Sequence, residues 1–208
     1  MIKIGITGGI GSGKTVVSSL LELEGIPVYP ADDASKRLTD TSPVIRKKLT
    51  TLIDDAIYKN DKLDRQRLAS IIFNDEALLE EVNGIIHPAV KEDFMNWITK
   101  QTSKCCALES AILYESKFDR EVDLVLMVYA PVELRLTRAM LRDGVSEAEI
   151  LKRMNRQMPD NLKRKQADYV ICNDGIQPVI PQIEEFVKNI EYLYDECHAP
   201  LHESTKIP

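Results

Sequence analysis

The sequence predicts an α/β fold, a three-layer α/β/α core around a parallel sheet, with a helical insertion and a second helical excursion attached. Three observations lead to it. A short alternating apolar run, Ile2, Ile4 and Ile6, enters a glycine-dense turn that opens into Val16, Val17, Leu20 and Leu21 at helical spacing. Strand-like apolar runs return at 105–108, 124–129 and 169–172. Between these runs the apolar spacing is helical.

Taken in order, the first strand, turn and helix are followed by Gly25, which suits a helix stop, and by Ile26-Pro27-Val28-Tyr29, a second extended run ending near Asp32 and Asp33. This is one β-α-β unit. Such units place ligand sites at the carboxyl ends of their strands, where the glycine turn and Asp32 would both lie. Leu38, Val44, Ile45, Leu49, Leu52 and Ile53, then Leu68, Ile71 and Ile72, then Leu78, Leu79, Val82, Ile85 and Ile86 follow helical spacing, so 34–101 is expected to be all-helical. The excursion from 138 to 165 is rich in Arg and Lys, and a closing helix runs from Pro178. The core would then be 1–33, 102–137 and 166–197, with 198–208 a loose tail.

The 208 residues are 44% apolar, enough for a substantial core, and no uncharged stretch nears the roughly 18 residues of a membrane span. With 27 Lys and Arg against 33 Asp and Glu, the net charge of −6 argues against a nucleic-acid binder, leaving room for a local basic patch around a phosphate. Cys105, Cys106, Cys172 and Cys197 show no C-x-x-C spacing and read as reduced thiols. Residues 1–6 lack the pattern of a secretory leader, which points to the cytoplasm. No heptads bear on oligomeric state, so a monomer and a small homo-oligomer both stay open.

The sharpest motif is Gly8-Gly9-Ile10-Gly11-Ser12-Gly13-Lys14-Thr15, which fits G-x-x-x-x-G-K-[ST] between a strand and a helix. Glycines let successive N–H groups turn inward toward phosphate oxygens, and the helix N-terminus adds its positive end. Gly9, Ile10, Gly11, Ser12, Gly13, Lys14, Thr15 and Val16 are the candidate nucleotide cradle, Lys14 bridging the β- and γ-phosphates of ATP and the Thr15 hydroxyl holding Mg²⁺. The dinucleotide pattern G-x-G-x-x-G fails, because its last position falls on Lys14 or Val16. No N-K-x-D base-reading motif for GTP is present. A carboxylate beside the phosphate loop suits a general base for an attacking hydroxyl, which selects Asp32; Asp33 reads better as the N-cap of a helix starting near Ala34.

Together with Asp32, the segments Gly5-Ile6-Thr7-Gly8, Leu63-Asp64-Arg65 with Leu68 and Phe73, His87-Pro88, Leu113-Tyr114-Glu115, Arg138 and Arg142, Arg153 with Gln157, and Ala167-Asp168 with Asn173 occur in an order that resembles the dephospho-CoA kinase family. Two positions depart from its pattern, Pro30 in the usual D-A-D and Ala111 in the usual P-L-L-[FY]-E. The resemblance implies a P-loop kinase that moves the γ-phosphoryl group of Mg²⁺-ATP to the ribose 3′-hydroxyl of dephospho-CoA. It implies that 34–101 forms an acceptor domain and 138–165 a basic lid, with both substrates small molecules. Arg65 would pair with the acceptor's pyrophosphate, or lie on a helix face behind an Asp64 N-cap; His87 would touch its sugar or base, or be a turn residue held out of a helix by Pro88.

Arg135, Arg138 and Arg142 share one helical face by i, i+3, i+7 spacing. By resemblance Arg138 or Arg142 contacts adenine or phosphate as part of catalysis, and Arg153 swings in on closure. Arg156, Lys163, Arg164 and Lys165 read as solvent-facing. Glu109 and Glu115 flank the end of the third strand, and Glu115 is the substrate-side candidate, or else a loop carboxylate paired with a lid arginine. Two other readings share most of these residues: another small kinase acting on a nucleoside, nucleotide or sugar acid, and an ATP-driven switch.

Overall fold

The computed structural model describes residues 1–198. β1 (Ile2–Thr7) is a central strand, with Ile4 and Ile6 fully buried on one face. On the other face Gly5 makes room for Leu113, whose Cδ2 would stand 2.8 Å from a Cβ at that position. A loop leads into α1 (Lys14–Leu23), which ends where the Ile26 N–H donates to Leu21 O at 3.0 Å and the Gly25 N–H to Glu22 O at 3.0 Å. This double bond pattern is the Schellman stop. β2 (Val28–Pro30) follows and passes directly into α2 (Ala31–Thr41).

After α2 come α3 (Pro43–Leu52), β3 (Tyr58–Lys59), β4 (Lys62–Leu63), α4 (Arg65–Ile71) and α5 (Glu76–Ile98). Ser42, Asp64 and Asp75 cap α3, α4 and α5 by accepting the N–H of Ile45, Arg67 and Leu78, an arrangement that contributes about 1 kcal/mol per cap. β5 (Cys105–Glu109), β6 (Leu124–Tyr129), α6 (Val132–Asp143), α7 (Glu147–Met154), α8 (Asp160–Gln166), β7 (Tyr169–Cys172) and α9 (Val179–His198) complete the chain.

The main sheet runs β2-β5-β1-β6-β7 with every neighbouring pair parallel. Val17 and Leu21 of α1 and Ile183, Phe186 and Ile190 of α9 cover one face. Ala31 and Ala34 of α2 and Val90 and Phe94 of α5 cover the other, giving the three layers. The insertion has its own core of Ile45, Leu49, Ile57, Tyr58, Leu63, Leu68 and Val82, and Leu38 and Ile86 pack against both that core and the sheet. Among the described residues, no helix is long and apolar enough to cross a membrane.

Several expectations are corrected. The insertion is not all-helical: β3 and β4 form a two-stranded hairpin whose turn residues Asn60 and Asp61 have φ of 50° and 61°. Two-residue strands are too short to show a period, and only the Asn-Asp pair, tolerant of positive φ, marks the turn. His87 and Pro88 lie inside α5, not in a turn. Proline removes one N–H bond to Gly84, but buried Val82, Val90 and Phe94 with half-buried Ile86 keep one apolar stripe across the gap. α2 starts at Ala31, so Asp33 is no cap; it sits in the first turn, paired with Lys36 at 2.8 Å. Cys105, Cys106 and Cys172 are free thiols. The α9 helix reaches His198, and the tail at 199–208 lies outside the described residues, as does the side chain of Cys197.

Candidate active site

The carboxyl ends of β1, β2 and β5 converge on the glycine loop. The loop can lie this close to α6 and to Asn173 because glycine stands at the contact positions. At Gly11, φ +78°, a Cβ would stand 2.3 Å from the Arg135 carbonyl, and at Gly13, φ +96°, 2.1 Å from Asn173 Nδ2. Neither position tolerates a side chain. Asn173 Nδ2 donates to Ser12 O at 2.8 Å, and Arg138 Nη1 to the Asn173 carbonyl at 2.9 Å, so α6 and the end of β7 brace the loop from behind.

Ile10, Gly11, Lys14 and Thr15 line a cavity of about 390 Å³, together with Asp32, Glu109, Ala111 and Arg142. Gly9, Ser12, Gly13 and Val16 complete the loop without lining it, and Val16 is exposed on α1. Lys14 Nζ donates to Gly8 O at 3.0 Å and Gly9 O at 3.4 Å, folded over its own loop. Its burial among protein atoms lowers its pKa from the usual 10.5, against the upward pull of Glu109 and Asp32. Thr15 Oγ1 donates to Glu109 Oε1 at 3.3 Å, and Ser18 Oγ to Glu109 Oε2 at 2.9 Å.

A second cavity, about 320 Å³, is lined by Arg65, Leu68, Ile86, His87, Ser110 and Phe118 among others. Asp32 and Lys36 line both cavities. The Asp32 carboxylate remains open to solvent in this cleft, yet surrounding protein raises its pKa, opposed by Lys14, by the nearby Ala111 N–H and by Lys36. Arg65 donates to Lys36 O at 2.7 Å and pairs with Asp40 at 3.1 Å, which anchors α4 to α2, while Asp64 does cap α4. Burial lowers the His87 pKa from 6.5, so a neutral imidazole packs edge-on against Phe118, ring centroids 6.3 Å apart.

Arg135, Arg138 and Arg142 all turn toward the loop, with different fates. Arg135 is 5% exposed and ion-paired with Asp160 at 2.5 Å. Arg142 lines the first cavity and bonds Asp143 at 2.7 Å, and Arg153 pairs with the same Asp143 at 2.8 Å. Arg156 does not face solvent alone: its guanidinium lies 4.6 Å from the Phe73 ring centroid. Arg164 lies 5.3 Å from that of Tyr129. Lys163 is fully buried, contrary to its assignment to solvent, because α8 packs against the 110–117 turn and the ammonium finds the Ala111 carbonyl at 2.7 Å and Glu115 at 3.1 Å. Glu115 is held by Lys163 and by the Met158 N–H at 2.6 Å and lines neither cavity. Asp168 accepts the Val125 N–H at 2.7 Å and so extends the sheet edge.

Sequence reasoning named Gln157 and Arg135 without giving either a role of its own, and placed Lys163 in solvent. Gln157 bridges two elements, accepting the Ile10 N–H at 3.1 Å and donating to Ala111 O at 3.2 Å. Arg135 and Lys163 carry no sequence signal that separates them from a solvated arginine or lysine.

A parallel sheet with this order, a glycine loop after β1 and a carboxylate shared between two cavities defines a P-loop kinase. A model of the dephospho-CoA kinase family matches residues 2–178. The chain is 50% identical over 198 residues to a dephospho-CoA kinase of Bacteroides fragilis, covering 95% of each chain. It is 47% identical over 191 residues to one from Porphyromonas gingivalis, covering 91% of this chain and 95% of that one. A crystal structure from Thermus thermophilus superposes with a TM-score of 0.80 at 33% identity, over 92% of this chain and 97% of the other. The chain belongs to the dephospho-CoA kinase family, and is therefore an ATP-dependent kinase of coenzyme A biosynthesis.

Proposed function

We propose that Asp32 is the general base with which this kinase passes the ATP γ-phosphoryl group to the 3′-hydroxyl of dephospho-CoA, giving CoA and ADP. The observation that carries this is its position: Asp32 is the carboxylate common to the loop cavity and to the cavity of Arg65 and His87. A base must touch the acceptor hydroxyl and stand beside the donor phosphate at once. The raised pKa keeps the carboxylate a better proton acceptor than a free aspartate.

The loop N–H groups and Lys14 hold the donor's phosphates, and Arg142, with Arg138 behind it, supplies positive charge at the transferring group. Mg²⁺ favours a few oxygen ligands completed by phosphate and water, and the adjacent Thr15 hydroxyl and Glu109 carboxylate fit that donor set. When bound there it would neutralise charge developing on the phosphates. Arg65 and the neutral His87 would grip the acceptor's pyrophosphate and its sugar or base in the helical domain 34–101. Segment 138–165 acts as the lid; Arg153 is released from Asp143 to engage substrate, and Glu115 serves the acceptor side by holding Lys163. The enzyme works in the cytoplasm on small molecules, as a monomer or small homo-oligomer, independent of nucleic acid and membrane.

ADP release with Mg²⁺-ATP alone, then with dephospho-CoA, adenosine, AMP or gluconate as acceptor, tests this reading. Strong stimulation is expected from dephospho-CoA alone. Equal stimulation by another alcohol would relocate the acceptor specificity, and near-normal turnover of Asp32→Asn would remove the base.

A further inference from the structure

Lysines are almost never fully buried unless paired, and Lys163 has no solvent exposure at all. Its ammonium donates to the Ala111 carbonyl at 2.7 Å and lies 3.1 Å from Glu115 Oε1, an oxygen that also accepts the Met158 N–H at 2.6 Å. The second lone pair of the same Ala111 carbonyl is taken by Gln157 Nε2 at 3.2 Å. Both grips on one backbone oxygen therefore come from the 138–165 segment. On its other side, Ala111 lines the loop cavity together with Asp32, and its backbone N–H is close enough to the Asp32 carboxylate to pull that group's pKa down.

The sheet reaches only the residue before Ala111, where the Ser110 N–H donates to Ile6 O at 2.9 Å. The β2–β5 ladder ends at the pair Pro30 and Glu109; two residues further on, Asp32 has entered a helix and Ala111 lies in the irregular turn 111–117. Backbone just past a ladder must be fixed by side chains if it is to orient a reacting group. Lys163 itself lines neither cavity, so any effect on the reaction must pass through what it holds.

We propose that Lys163 is a positioning residue: by seating Ala111 it aims the Asp32 carboxylate at the acceptor hydroxyl, and with Gln157, which also binds the Ile10 N–H of the phosphate loop, it makes placement of the base depend on the lid. The inference rests on Asp32 as the base. A lysine donor suits the task because a long stem from α8 delivers several N–H groups to fixed acceptors inside the protein.

The test is a double-mutant cycle of Lys163→Met and Asp32→Asn, with kcat and both KM values measured on protein shown to be folded by its melting curve. Lys163→Met should lower kcat about 100-fold, the scale of a misplaced reacting group, with KM for ATP within about 3-fold. In the Asp32→Asn background the same change should cost less than about 3-fold, since the group it positions has lost its function. Wild-type kcat in folded Lys163→Met overturns the proposal. So does a full loss repeated in the Asp32→Asn background, which would mean that Lys163 acts on phosphate charge directly. Near-normal turnover of Asp32→Asn alone would identify the base assignment as the fault, and the proposal would fall with it. If Lys163→Met does not fold, Gln157→Leu carries the test, with about a 10-fold non-additive loss expected and additive or absent loss overturning it.

Discussion

In the cavity proposed for the donor, Ile10, Gly11, Lys14 and Thr15 come from one short loop, whereas the cavity proposed for the acceptor takes Arg65 from α4, His87 from α5 and Phe118 from the segment after β5. The first takes one wall from a contiguous glycine loop. Its geometry is fixed by glycine conformation and by the braces of Arg135 and Asn173 packed against the missing Cβ positions. The second is made of side chains brought together by the insertion's own core, and its shape depends on how that core sits on the sheet through Leu38 and Ile86. A backbone site can bind any nucleoside triphosphate, while an assembled side-chain site can select one acceptor. Asp32 and Lys36 stand where the two meet.

That shared position predicts the largest effect. Asp32→Asn should lower kcat about 10³-fold, within the range of a general base, while KM for ATP stays within about 2-fold. The base must be ionised to accept a proton, and surrounding protein raises its pKa against Lys14, the Ala111 N–H and Lys36, with Asp33 adding to the rise. The wild-type kcat/KM for dephospho-CoA should therefore fall as pH drops through a midpoint above the ordinary 3.8. A pH–rate profile whose acid limb lies at or below that value would separate Asp32 from the chemistry.

Removing the donor side alone comes next. Lys14→Ala should cost about 10²- to 10³-fold in kcat/KM for ATP, the scale of one charged donor to a transferring group. KM for dephospho-CoA, measured at saturating ATP, should change little, because Lys14 lines only the loop cavity. Parallel loss on both substrates would show that the two cavities are not separable.

This asymmetry also explains what could be read from the residues. The loop motif was legible because its chemistry depends on contiguous spacing, and the strands at 124–129 and 169–172 because their apolar runs are continuous, the first of them buried along nearly its whole length. Pro88 misled because a helix-breaking rule is local, while the stripe of Val82, Ile86, Val90 and Phe94 that overrides it runs through the middle of α5 on both sides of the proline. Lys163 was unreadable for a different reason. In Lys163-Arg164-Lys165 nothing local distinguishes the residue facing Ala111 from its neighbours, since that depends on where a turn fifty residues away is placed.

Arg65→Ala is the acceptor-side counterpart of the lysine change. Charge-assisted bonds of an arginine contribute about 1.5–3 kcal/mol, so KM for dephospho-CoA should rise about 10-fold or more with KM for ATP unchanged. Because Arg65 also ties α4 to α2 through Lys36 O and Asp40, its melting temperature should fall as well. Arg65→Lys should recover part of that stability but little of the affinity, since an ammonium cannot reproduce the planar fork. Full recovery of affinity by lysine would make Arg65 a point charge only.

Phe73 offers the smallest and most discriminating change, because it belongs to the insertion but is contacted from the 138–165 segment proposed as the lid. It is 44% exposed, with Lys152 Nζ 4.9 Å and Arg156 Cζ 4.6 Å from its ring centroid. At an exposed site each such contact contributes about 0.5–1 kcal/mol, so Phe73→Ala should lower kcat/KM by about 3- to 10-fold. Since the contact joins the insertion to the 138–165 segment proposed as the lid, the loss should fall on both substrates together, unlike that of Lys14→Ala or Arg65→Ala. Phe73→Tyr, which keeps the ring face, should behave as wild type, and Phe73→Leu, which keeps bulk without it, should resemble alanine. If leucine instead restores activity, ordinary packing joins the two regions; if alanine has no effect on either substrate, lid and insertion close independently and only Asp32 and Lys36 link the two cavities.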